Sequence, residues 1–275
     1  MRIRHLALGV CMTAACGPVL AGSFVTLPTT APLRKFGAQN PTADTLKLDE
    51  GPQIGIEQPG NVILYAPPSN LTQLDARQSN IIYQGNKVGT LYDYVFRDTT
   101  DNQLVFGHRI VLEPVVNGQG NIFEVNDFYR SGNTGFTVAA AWSRGSSIDL
   151  RMYSAARTSK ALGGGTDVFD PDITNTRSDI NVSEGNPRSG FHFLKSAAPY
   201  YKLATATGTC AAGGTYGFRL RQSGEEQQPI TDICFDAFVP SSTAPVTPES
   251  VPVPPWALVL LAAGLALAGL RARRR

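Results

Sequence analysis

Residues 103–112 read QLVFGHRIVL, and every second side chain, Leu104, Phe106, His108, Ile110 and Leu112, falls on one side of an extended chain. A period of two is the signature of a β-strand, whereas a helix would repeat near 3.6. The preceding stretch GTLYDYVFRDT (89–99) has the same character, and the Asp/Asn-containing TTDN (99–102) between them predicts a hairpin. Further along, GFTVAAAW (135–142) puts Phe136, Val138, Ala140 and Trp142 on one face. IDLRMYS (148–154) sets Ile148, Leu150 and Met152 against Asp149 and Arg151. Short strands with frequent turn residues, and no sustained helical period in the body, predict an all-β fold. Its expected form is an antiparallel, jelly-roll-like β-sandwich.

Three of the expected strands open alike, at Gly135-Phe136, Gly190-Phe191 and Gly217-Phe218. Their spacing is unequal, so they punctuate strand starts and are not a solenoid repeat. The compact domain is expected over 61–240, after a Pro-, Thr- and Gly-punctuated, loosely ordered segment at 22–60. From 241 to 255 five prolines among Ser, Thr and Val predict a semi-rigid, extended linker.

Both ends of the chain are address-like. The first residues, MRIRHLALGVCMTAACGPVLAGS, carry a basic start at Arg2 and Arg4, an apolar run, and the small-x-small pattern Val19-Leu20-Ala21. This order predicts a secretory signal peptide over 1–21, cut between Ala21 and Gly22. Lipoprotein processing at Cys16, behind Thr13-Ala14-Ala15, is the rival reading. At the other end, Trp256 to Leu270 is uncharged and rich in Leu and Ala. As a helix, 256–270 would span about 22 Å, short of a hydrocarbon core of about 30 Å unless the preceding prolines extend it. Arg271, Arg273, Arg274 and Arg275 can snorkel and hold their end in the cytoplasm. The expectation is one marginal transmembrane helix with the body outside.

A proline motif, a short apolar helix and a terminal basic cluster together resemble the C-terminal sorting signal of exosortase substrates in Gram-negative bacteria, the PEP-CTERM group and its variants. The motif here is Val251-Pro252-Val253-Pro254-Pro255-Trp256 within a tail at 251–275. Pro-Glu-Pro itself is absent and Pro248-Glu249-Ser250 is its nearest match, so proline followed by tryptophan is closer to the IPTL-type variants. The resemblance implies membrane retention of an exported precursor in the periplasm. It further implies an exosortase-type processing enzyme and delivery to the cell surface or extracellular matrix, with exopolysaccharide as a partner. An ordinary C-terminal anchor is the plainer alternative.

Charge agrees with that itinerary. Lys+Arg total 24 and Asp+Glu 22, but six of the basic residues and none of the acidic ones lie at 1–21 and 256–275. The body is therefore acidic, which predicts no nucleic-acid partner, since phosphate tracking needs clustered Lys and Arg. Cys11 and Cys16 belong to the signal peptide, leaving Cys210 and Cys234 as an even pair in an exported chain. One disulfide is expected, contributing about 3 kcal/mol on the chain-entropy model.

No catalytic constellation is visible, and the body is read as non-catalytic. His108 and His192 each sit inside a strand pattern without a second histidine at ligand spacing, and G-x-S-x-G, H-E-x-x-H and P-loop motifs are absent. No cofactor is expected. The weak exception is TDVFDPDITNTRSD (166–179), where Asp167, Asp170, Asp172, Asn175 and Asp179 offer oxygens of the kind calcium takes. Its spacing departs from the EF-hand loop, and a solvated acidic loop is the competing reading. Two function classes remain: a structural or glycan-binding surface protein, and an exported hydrolase using dispersed carboxylates.

Overall fold

The computed structural model describes residues 24–30, 33–36, 70–115, 123–143, 149–150, 152–207, 210, 214–222, 224 and 228–244. The expected cleavage point at Ala21 and Gly22, the motif at 251–256, the helix at 256–270 and the terminal arginines lie outside them. Contacts divide the chain into Met1–Thr243 and Ala244–Arg275, and only Ala244 of the second unit is described.

Among the described residues there are sixteen strands, numbered β1–β16 along the chain, and no helix. One six-stranded sheet has the spatial order β1 (Val25–Thr26), β7 (Val138–Ser143), β12 (Phe191–Ser196), β5 (Leu104–Leu112), β4 (Asn86–Asp98), β3 (Leu71–Tyr83). The other runs β15 (Thr231–Phe235), β14 (Phe218–Gln222), β6 (Glu124–Arg130), β11 (Thr174–Asn181), β8 (Ser154–Ala156), β2 (Arg34–Phe36). Two ribbons complete the set: β9 (Thr158–Ser159) with β10 (Val168–Phe169), and β13 (Tyr200–Ala204) with β16 (Ala237–Ser241). All these pairings are antiparallel. The described residues are all-β, as the alternation predicts.

The expected hairpin is β4–β5, in register from Gly89 opposite Leu112 to Arg97 opposite Leu104. A second hairpin, β3–β4, turns at Gln84 (φ 48°) and Gly85 (φ 79°), with Tyr83 opposite Asn86. Positive φ at both central residues is the type I′ geometry, whose twist suits two-residue hairpins. The segment expected to be loosely ordered contributes β1 to the first sheet and β2 to the second, paired with β7 and β8.

Each main core cluster draws side chains from both large sheets. One combines Leu91, Ile110 and Leu112 with Val125, Phe128, Ile180, Phe218 and Leu220. The other combines Val95, Leu104, Phe106, Ala140 and Trp142 with Met152 and Ala155. The face of β5 that the sequence marks as apolar is thus turned to the second sheet. On the opposite face of the first sheet, Phe96, Val105, Phe191 and Phe193 are buried as well. Central strands covered on both faces lose their in–out contrast.

Two local expectations change. The described residues of 148–154 are not one strand: Leu150 makes an isolated bridge to Ser189, and β8 begins at Ser154. Asp149 is fully buried because it compensates Arg109, at 2.8 Å, itself drawn into the interior of the first sheet. Phe136 precedes β7 and is half-buried, outside the apolar face of Val138, Ala140 and Trp142.

Cys210 and Cys234 form a disulfide across a sequence separation of 24, fixing the segment before β14 to strand β15. A closed loop of that size restricts the unfolded chain by about 3 kcal/mol.

Candidate functional site

A groove of about 580 Å³ opens where the strand β1 region, the turn before β7 and the end of β10 meet. That volume lies within the usual range for small-ligand sites, about 300–1,000 Å³. One wall is Thr26, Leu27, Pro28, Thr29 and Thr30; another is Gly135, Phe136 and Thr137; Arg157, Phe169 and Pro171 complete it. Its chemistry is mixed: four threonine hydroxyls, two aromatic rings and two prolines. Phe169 is 42% exposed, a large apolar ring left in water on a two-residue strand.

The frame behind the groove is built from polar side chains bonded to backbone. Arg157, nearly buried, donates from Nη1 to the Phe136 carbonyl at 2.8 Å. Its Nη2 donates to the carbonyls of Asn133, at 2.9 Å, and of Pro171. One planar guanidinium thereby ties the turn before β7 to the segment after β10, a use for which its fixed fork of donors is suited. Burial lowers its pKa, while the charges of Asp172 and Asp170 oppose that shift. The amide of buried Asn133 donates to the carbonyls of Arg130 (3.0 Å) and Asp172 (2.9 Å). Asp172 Oδ1 accepts from the Gly132 N–H (3.1 Å) and the Thr134 hydroxyl (2.9 Å). The walls at 135–137 and 169–171 are therefore held to each other by a connected network.

The acidic run is split by this arrangement. Asp170 Oδ1 accepts from the Asp172 and Ile173 N–H groups at 2.9 and 3.3 Å, an Asx turn that redirects the chain into β11. Asp167 lies 3.9 Å from Lys160. Asn175 and Asp179 sit within β11, Asn175 donating to Asp127 at 3.0 Å and Asp179 accepting from Asn126 at 3.0 Å. Half of the expected loop is strand, which disperses its oxygens. Among the described residues no three His, Cys, Asp or Glu side chains gather as a metal site.

His108 and His192 do come together, though far apart in sequence, because β5 and β12 are neighbours that set them directly opposite. Their rings are 5.0 Å apart and fully buried between Phe128 and Phe218. His192 Nδ1 lies 3.0 Å from the Thr176 hydroxyl and Nε2 3.1 Å from that of Ser178; His108 Nε2 shares Thr176 at 3.3 Å. Burial drives both pKa values down, His192 to about 3 and His108 well below its ordinary value, where the neighbouring His192 and Arg130 add to the effect. Two neutral imidazoles sealed in a core reach no substrate, so the pair is structural.

Sequence reasoning missed the groove. Its parts come from four separated segments, and Arg157 has no motif around it. The usable signal was slight, Phe169 flanked by Asp170-Pro171, whereas Phe136 reads in the sequence as part of the alternation with Val138. No family model, curated protein or solved structure matches this chain.

Proposed function

We propose that this chain is an exported cell-surface or extracellular-matrix protein of a Gram-negative bacterium. On this reading it is retained in the inner membrane by its C-terminal helix and processed there by an exosortase-type enzyme. Its body is a non-catalytic, jelly-roll-like β-sandwich that binds glycan, exopolysaccharide being the natural ligand class. The groove carries the reading. Rings and threonine hydroxyls on a rigid, open frame suit sugar faces and sugar hydroxyls, in line with the mixture of apolar lining and a few placed polar groups that ligand sites use. The Cys210–Cys234 disulfide fits an oxidising, exported environment, and both core clusters joining the two sheets suit a sandwich. No cofactor is needed for such a role.

Binding of the cell's own exopolysaccharide, measured by titration calorimetry, is expected to weaken about ten-fold in Phe169→Ala. Loss of one stacking ring of this size is worth roughly 1–2 kcal/mol. Equal affinity in both proteins would sink the groove assignment. The address is tested separately by intact mass. Protein recovered from the cell surface should end near residues 250–256, and a surface form still carrying Arg271 to Arg275 would leave a plain anchor.

A further inference from the structure

Strand β3 ends the first sheet: β4 lies on one flank and, among the described residues, no strand lies on the other. It is thirteen residues long, whereas every other strand at the end of a sheet or ribbon has five or fewer. A free edge displays unpaired N–H and C=O groups and is a template for another strand. Register shifts at Gln73/Asp75 and Ile81/Ile82 bracket a regular stretch, residues 75–81, that contains neither proline nor lysine. The Ala76 N–H donates to the Asp75 side chain at 2.8 Å, so it points away from β4. Backbone direction alternates along a regular strand, and Gln78 and Asn80 therefore also present their N–H and C=O groups to the open side. All three residues are exposed.

We propose that this edge pairs with the same edge of a second copy of the chain, antiparallel about a twofold axis through Gln78. Ala76 then faces the partner's Asn80 and Gln78 the partner's Gln78, which gives about six backbone hydrogen bonds, two for each outward pair. A twofold contact requires a self-complementary patch, and this stretch is one. Its charged side chains are Asp75 and Arg77, of opposite sign, and Arg77 is already compensated by Asp236 at 3.6 Å. With the axis at Gln78, Arg77 faces the partner's Ser79 and Asp75 faces the partner's Ile81, so no like charges stand opposite. Moving the axis to Arg77 would set two arginines face to face, which is destabilising. Moving it to Ala76 would run the pairing onto the irregularity at Leu74. The free edge that can match seven regular residues is, among those described, β3's own.

Asp75 guards this edge in the single copy by occupying the Ala76 N–H. Its removal is therefore expected to tighten the pairing.

The full chain, as the cell delivers it, is tested by sedimentation across concentration, with hydrogen exchange read over peptides covering 75–81. Dimer should grow with concentration, and amides of this stretch should slow in step with it. Gln78→Lys alters an exposed side chain yet puts like charges on the axis; it should raise the dissociation constant at least about three-fold, while Asp75→Ser should lower it. A protein that stays monomeric at every concentration, with Asp75→Ser as well, overturns the proposal. So does protection at 75–81 that ignores both concentration and Gln78→Lys, because another segment or another protein then covers the edge.

Discussion

Between pH 6.5 and about 3 the protein is expected to lose about 5 kcal/mol of folding stability through His192 alone. The folded-state pKa is depressed by burial, to about 3, and the unfolded value is 6.5. In that window the unfolded chain takes up a proton that the folded chain refuses. Stability is whole above pH 6.5 and falls by about 1.4 kcal/mol for each unit of acidification until the folded group titrates. His108 acts with the same sign, because burial, His192 and Arg130 all disfavour its charged form. Against a typical total of 5–15 kcal/mol, this is enough to unfold a marginal domain as the pH nears 3. The measurement is the urea midpoint at pH 7, 5.5 and 4.5. In His192→Gln, which keeps an amide for Ser178, overall stability drops but the pH slope between 6.5 and 4.5 should flatten. An unchanged midpoint across that range in the parent protein would show that the pair does not carry this linkage.

The histidines also mark where sequence reasoning stopped. Alternation alone placed His108 on the apolar face of 103–112, and the β4–β5 hairpin with its Asp/Asn turn was legible from the same residues. The meeting of His108 with His192 was not, because it depends on β12 lying beside β5, a non-local pairing that periodicity cannot encode. Strand β3 failed to register for a different reason. Its middle carries Gln, Asp, Arg, Ser and Asn on an edge open to water, so it is held by backbone pairing to β4 and not by an apolar stripe. At 166–179 an excess of Asp and Asn read as loop, yet Thr174–Asn181 is a strand that buries polar side chains, among them Asn175 bonded to Asp127 and Thr176 to the histidines. Burying polar groups in bonded sets hides a strand from any hydrophobicity pattern. The disulfide was legible because setting aside the expected signal peptide leaves Cys210 and Cys234 as one pair.

The same habit of burying hydrogen-bonded polar groups gives the second large expected effect, at Asp93 and Arg130. Asp93 belongs to β4 in the first sheet and Arg130 to β6 in the second, and their charged atoms are 2.7 Å apart with both side chains out of water. The Phe238 N–H donates to the other Asp93 oxygen at 2.8 Å, and Arg130 donates to the Phe238 carbonyl, so strand β16 is tied to both sheets. The guanidinium lies 5.2 Å from the Phe218 ring and 5.8 Å from that of Phe106. Burial raises the Asp93 pKa, and the Arg130 charge and the Phe238 N–H only partly reverse that shift, which is the mark of a large desolvation cost. Arg130→Met strands a buried carboxylate and should cost about 3–5 kcal/mol at pH 7. Part of that loss should be recovered on acidification, because a protonated Asp93 carries no charge to bury. Asp93→Leu/Arg130→Met removes both charges and fills similar volume, so it should fall within about 1–2 kcal/mol of the parent. The double-mutant cycle, measured by urea unfolding, separates the pair from its surroundings. If the double variant is as unstable as the worse single one, the ion pair is not what couples the sheets. The hydrogen bonds to Phe238 would then be the tie that holds β16 in place.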